Sequence, residues 1–222
     1  MFAPRTLMIM STTTRITLLA ALSLIGMLGL SGCAQAPGAS APTSGTSPRT
    51  ALASAAPPEA EVVGGGTVMD TGGSVELCLG AVAESYPPQC SGVPLVGWSW
   101  TGVEGSESSG ETRWGAYAVT GRYDGETFTV TRPAMLLALY DPMAPEDPTG
   151  GSPDGTSEAR LVDIQERLPH LLGGAAPLGS FSERGRLWVD VLWDDGSLQR
   201  AVDAEFGEDV VVIRSAFRPV DG

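Results

Sequence analysis

Few residues in this 222-residue chain are equipped for chemistry, and their spacing limits what that chemistry could be. The single histidine, His170, directly follows Pro169, and any serine–histidine–acid triad would have to use it. No serine sits in a G-x-S-x-G elbow. The run Gly105-Ser106-Glu107-Ser108-Ser109-Gly110 has the residue types without the spacing. Two carboxylates can hydrolyse a glycoside without histidine. The best-placed set is Asp190 and Asp194, which an extended strand would put on one face, with Glu205 following. An acidic chain offers many such pairs, so a carboxylate-dependent hydrolase stands only as an alternative. Asp141, Glu146, Asp147 and Asp154 lack the regular spacing that wraps oxygens around calcium. One histidine and a pair of cysteines cannot assemble a zinc site. There is no lysine to complete a P-loop, and Gly64-Gly65-Gly66 is not a dinucleotide fingerprint. The expectation is no catalytic residue, no metal and no cofactor.

The cysteines carry a different chemistry. Residues 1–15 are polar and mildly positive, and Ile16 to Leu30 is an apolar run too short for a membrane span of about 20 residues. That order reads as a signal peptide over residues 1–32. Leu30-Ser31-Gly32-Cys33 at its end resembles the lipobox of bacterial lipoproteins. The resemblance implies that the Cys33 thiol takes a diacylglyceryl group and becomes the first residue of the mature chain. The membrane is then a partner through that anchor, and the protein is extracytoplasmic. Two acyl chains suffice for stable anchoring, at about 0.8 kcal/mol per buried CH₂.

All 13 basic residues are arginine, and lysine and asparagine are absent. Arg5 and Arg15 fall in the leader and no acid does, so the remainder holds 11 Arg against 26 acids, a formal charge of −15. Such a surface repels phosphates, which argues against a nucleic-acid partner. From Ala34 to Glu61, 23 of 28 residues are Ala, Pro, Ser, Thr or Gly, a composition that cannot bury enough apolar area to offset chain entropy. Residues 33–61 therefore read as a lipid-anchored tether.

The elements that must position any site follow from about Val62. Residues 62–142 read as an all-β domain. Strands are expected at 74–82, 95–103, 116–123 and 127–132, the last two joined by Asp124-Gly125 in a hairpin. Residues 134–140 read as a last strand or a short helix. Short strands and glycine-rich joints favour a small barrel resembling the oligonucleotide/oligosaccharide-binding fold. With Cys33 lipidated, Cys78 and Cys90 form an even pair outside the cytoplasm and read as a disulfide. Trp98 and Trp100, two apart, would share a strand face, with Tyr86 near them in sequence. They are candidate ligand-binding residues for glycan or peptide, although large rings also fill small barrels.

The run Leu77-Cys78-Leu79-Gly80, the segment Ser85-Tyr86-Pro87-Pro88-Gln89-Cys90, Gly97-Trp98-Ser99-Trp100, Trp114-Gly115 and Tyr123-Asp124-Gly125 together resemble a set of lipoproteins and secreted proteins of actinobacteria. That resemblance covers about 65 residues and implies a cell-envelope location. It brings no activity, so these residues transfer only as markers of fold.

Residues 143–155, rich in proline and acids, read as a linker. Residues 156–222 then follow a helix–strand–helix–strand order. The first helix is capped at Thr156 or Ser157 and ended by Pro169 with Gly173-Gly174. A strand follows at 186–193, then a helix at 198–206 and a strand at 209–215. The fold class expected is thus mixed α and β, in two small domains. The function expected is a non-enzymatic, lipid-anchored envelope protein that works by contact with an envelope protein. The first alternative is a lipoprotein that binds glycan or peptide.

Overall fold

The computed structural model describes residues 55–141, 147–172 and 176–220. Cys33 and the leader lie outside the described residues, as do most of the tether and residues 142–146 of the linker region. Strand β1 (Val62–Asp70) is the spine of the first sheet. It pairs antiparallel with β2 (Val75–Cys78) over Thr67↔Cys78 to Asp70↔Val75. On its other side it pairs with β5 (Thr112–Tyr123) along nine residues, from Val62↔Gly121 to Asp70↔Arg113. Strand β2 passes to β3 (Val93–Val96), and β3 runs parallel to β6 (Phe128–Val130). Strand β6 returns antiparallel to β5 through the Asp124-Gly125 hairpin. The circuit β1-β2-β3-β6-β5-β1 closes, so the sheet is a five-stranded barrel. Two short strands extend it along β5: β4 (Glu107–Ser109) and β7 (Met135–Leu136). A 3-10 turn at Leu137–Leu139 follows β7, so the run after 134 is strand and helix in succession.

The barrel is filled from every strand. Val62, Val68, Leu77, Val93, Leu95, Tyr117, Val119, Tyr123 and Phe128 form one buried cluster. Gly64, Gly65 and Gly66 lie inside β1. A Cβ on Gly64 would stand 2.8 Å from the ring of Phe217, so the close approach requires glycine there. Phe217 itself is fully buried in the barrel, although it comes from the far end of the chain.

The second sheet is three-stranded, in the order β10-β9-β8, with β8 (Gly179–Glu183) antiparallel to β9 (Arg186–Val191) and β10 (Val211–Ser215) parallel to it. Helix α2 (Ser197–Phe206) makes the crossover between β9 and β10. Helix α1 (Glu158–Leu171) lays Leu161, Ile164, Leu168 and Leu171 on the same face, against Leu187, Val189 and Val191 of β9 and Leu198, Val202 and Phe206 of α2. The order is therefore helix–strand–strand–helix–strand. Strand β8 was not expected, because only Phe181 among its residues is large and apolar. Strand β9 ends at Val191, two residues short of the expected end at 193. Helix α1 runs through Pro169, which sits in its last turn, and ends at Leu171; Gly173 and Gly174, expected beyond its end, lie outside the described residues.

After β10 the chain returns to the barrel. Phe217 N–H donates to Leu192 C=O at 3.0 Å, and a last short strand, β11 (Arg218–Pro219), pairs with the start of β1. Leu192 and Trp193 pack against the barrel core as well. All the described residues belong to one compact unit, so barrel and second sheet share a body. Residues 55–61, within the stretch read as tether, also have partners. Ala56 N–H donates to Asp195 Oδ2 at 3.0 Å, and Ala56 C=O accepts from the Trp193 indole at 3.0 Å. Arg122 donates to Glu59 C=O at 3.4 Å.

Candidate functional site

Strands β3 and β6 run parallel and leave the barrel at the same end, just beyond the Val96↔Thr129 pair. There they separate. Gly97, at φ +78°, turns its segment across the end of the barrel, where Trp98, Trp100 and Val103 pack on the core, while the chain after Val130 continues along β5 toward β7. The wedge between them is a cleft of about 380 Å³. One wall is Gly97 to Val103, with Trp98, Ser99 and Thr101; the other is Val130 to Ala134, with Thr131 and Arg132. No carboxylate lines it.

Trp98 and Trp100 were expected on a strand face, but β3 ends at Val96 and both lie in the loop beyond it. Their rings meet edge to face, with centroids 5.1 Å apart and planes at 84°. Crossed rings make no flat platform. Each also packs on Tyr117, at 5.4 and 6.1 Å, so the pair closes this end of the barrel core. Trp100 is held tightly. Its indole donates to Asp70 Oδ2 at 2.9 Å, and Arg113 lies over its ring at 4.5 Å. Arg113 is in turn fixed on Ser106 Oγ at 2.8 and 3.0 Å. The Tyr117 hydroxyl donates to Glu104 C=O at 2.8 Å. Burial raises the phenol's pKa, with Ser106 and Arg113 pulling partly against it. Of the two tryptophans, Trp98 lines the cleft and Trp100 does not. Trp98 is half-buried, and its indole nitrogen is buried without an acceptor.

Tyr86 does not join them. It stands on the disulfide loop, 72% exposed, edge-on to Trp114 at 5.5 Å. Cys78 and Cys90 are bonded to each other. Cys78 forms a small apolar cluster with Met69 and Trp114 on the outside of the barrel wall.

At the rim of the cleft, Arg132 Nε and Nη2 both donate to Oε2 of Glu61, at 3.0 and 2.6 Å. Thr131 and Arg132 hydrogen-bond the Glu61 carboxylate and hold it below the usual carboxylate range. Asp70, Arg113, Glu61 and Arg132 were not singled out from the sequence, since nothing in their spacing announces a shared end of the barrel.

The carboxylates suggested for hydrolysis have other work. Asp190 binds Arg214 through both oxygens, at 2.8 and 2.9 Å. Asp194 lies beyond the end of β9 and accepts from the N–H groups of Leu198 and Gln199, capping α2. Glu205 pairs with Arg167 at 3.2 Å. His170 is exposed in the last turn of α1. Among the described residues, no group of three metal-ligating side chains comes together, and no helix is long and apolar enough to cross a membrane.

No family model, curated protein or solved structure matches this chain.

Proposed function

We propose that the mature protein is a non-enzymatic, lipid-anchored binding module of the cell envelope, and that the cleft beside Trp98 receives a saccharide. The cleft carries this reading. It is concave, walled by an indole, hydroxyls and glycine backbone, and placed at one end of a rigid barrel. An indole face suits the C–H face of a sugar ring, and Ser99 and Thr101 supply hydroxyls for orientation. The circuit β1-β2-β3-β6-β5-β1, with its single parallel pair, supports an oligonucleotide/oligosaccharide-binding type of barrel. A charge of −15 beyond the leader disfavours the nucleic-acid branch of that class. A peptide that binds by strand addition needs an open strand edge. Strands β3 and β6 are both paired on two sides, which favours a saccharide. The lipobox pattern at Leu30 to Cys33 supports the anchor and the extracytoplasmic address.

Contact with another envelope protein is a second role. It is favoured by Phe181, 40% exposed on the β8 edge, and by the exposed Tyr86 knob.

Isothermal titration of the mature chain with a panel of neutral and acidic oligosaccharides tests the binding reading. Thr101→Arg fills the cleft mouth from an exposed position without touching the core. Binding that Thr101→Arg abolishes supports the cleft. Binding that it leaves unchanged removes the cleft from the function.

A further inference from the structure

The cleft stands out electrostatically in so acidic a chain. Eleven residues line it, none of them Asp or Glu, and one of them, Arg132, is a cation. A cation-bearing ligand therefore finds no partner in the walls, whereas an anionic one meets hydroxyls and a guanidinium whose carboxylate neighbour, Glu61, stands at the rim and is not part of the lining. Arg132 is also held in readiness. Its Nε and Nη2 are spent on a single oxygen of Glu61, which fixes the plane of the group, and its side chain is still 55% exposed. Its Nη1 has no partner among the described residues. Glu61 is less exposed, at 21%, and is locked from below by Val220 N–H on its backbone carbonyl at 3.1 Å. The pair is thus a guanidinium anchored on one side and open on the other.

We propose that the cleft selects saccharides bearing a carboxylate, with Arg132 as the specificity-determining contact and Glu61 as its internal competitor and support. This rests on the saccharide reading of the cleft. Arginine suits the role because its planar fork can serve two carboxylates at once, one through Nε and Nη2 and one through Nη1 and the second Nη2 hydrogen. The exposed ion pair contributes little to stability, so both partners can be changed without unfolding the barrel.

The test is titration calorimetry on the mature chain with uronate trisaccharides of several epimers, their carboxyl-reduced counterparts and an acetylated acidic tripeptide. The expected result is that a uronate trisaccharide binds about tenfold or more tighter than its reduced counterpart, the size of one charge-assisted contact. Arg132→Gln should erase that preference while leaving the weaker neutral binding in place. Glu61→Gln, which removes the competing charge, should tighten uronate binding. Equal binding of uronate and reduced sugars, or a preference that survives Arg132→Gln, overturns the carboxylate inference and leaves the saccharide reading standing. Tripeptide binding as tight as the uronate overturns the saccharide class for this contact. Binding of no sugar at all removes both.

Discussion

The rings of Phe128 and Phe217 stack with their centroids 5.0 Å apart and their planes 25° from parallel, inside the barrel. One comes from the hairpin strand β6, the other from the segment between β10 and β11. Tyr123 meets the same Phe217 ring at 5.0 Å. The barrel core is therefore completed by a residue that arrives only after both helices and the second sheet have been traversed. Truncating Phe217 to alanine should cost about 3–5 kcal/mol, the usual range for a fully buried aromatic. Denaturant unfolding followed by far-UV circular dichroism and by tryptophan fluorescence should give one coincident transition in the wild type. Two separated transitions would show that the barrel and the second sheet are independent.

The disulfide is a second handle on the barrel. It closes a loop of twelve in sequence over Met69 and Trp114. Replacing both Cys78 and Cys90 with alanine should remove about 2–3 kcal/mol in the chain-entropy account. Differential scanning calorimetry of the double variant measures it. Tyr86 should then lose its fixed contact with Trp114, seen as a change in near-UV dichroism.

Asp195 ties the segment before β1 to the start of α2. Its carboxylate is lowered to about 2 by the Ser197 hydroxyl, the Ser197 N–H and the Ala56 N–H. A carboxylate depressed in the folded state stabilises above its unfolded pKa of about 3.9, and the contribution disappears as pH falls through the folded value. Asp195→Asn should therefore melt below wild type at pH 5–7, with the gap closing between about pH 4 and 2. Melting curves across that range check it; a gap that is constant in pH contradicts the ionic origin.

Gln199 reaches from α2 to the outer edge of β10, accepting from Ile213 N–H at 2.8 Å and donating to Val211 C=O at 2.9 Å. A side-chain amide thus stands in for the next strand and blunts that edge. Gln199→Ala should cost about 1–2 kcal/mol. Hydrogen exchange at the Ile213 amide should speed up more than at its neighbours in β10.

Much of this architecture was legible in the sequence, and the failures have physical causes. The β5–β6 hairpin could be read because Tyr117, Val119 and Tyr123 alternate and Asp124-Gly125 supplies the turn. The β9–α2–β10 crossover showed in the change of period from two to 3.6, with Gly207 at the end of α2 in positive φ. Strand β1 was obscured by Gly64 to Gly66, which strand propensity disfavours and which the close approach of Phe217 to Gly64 and of the Cys78 carbonyl to Gly66 explains. The spacing of Trp98 and Trp100 matches a strand, yet what holds them is packing on Tyr117. Of the residues lining the cleft, only Trp98 stood out in the sequence. The cleft walls, residues 97–103 and 130–134, become neighbours only because β3 and β6 pair in parallel.

The most direct test of the cleft as the binding site is a two-dimensional NMR titration of the isotope-labelled mature chain with the oligosaccharide panel, with the Trp98 indole N–H as reporter. If sugar occupies the cleft, the Trp98 indole and the amides of Ser99, Thr101, Thr131 and Arg132 shift together and saturably. Shifts confined to Phe181 and the β8 edge, or no saturable shift with any sugar, would contradict it.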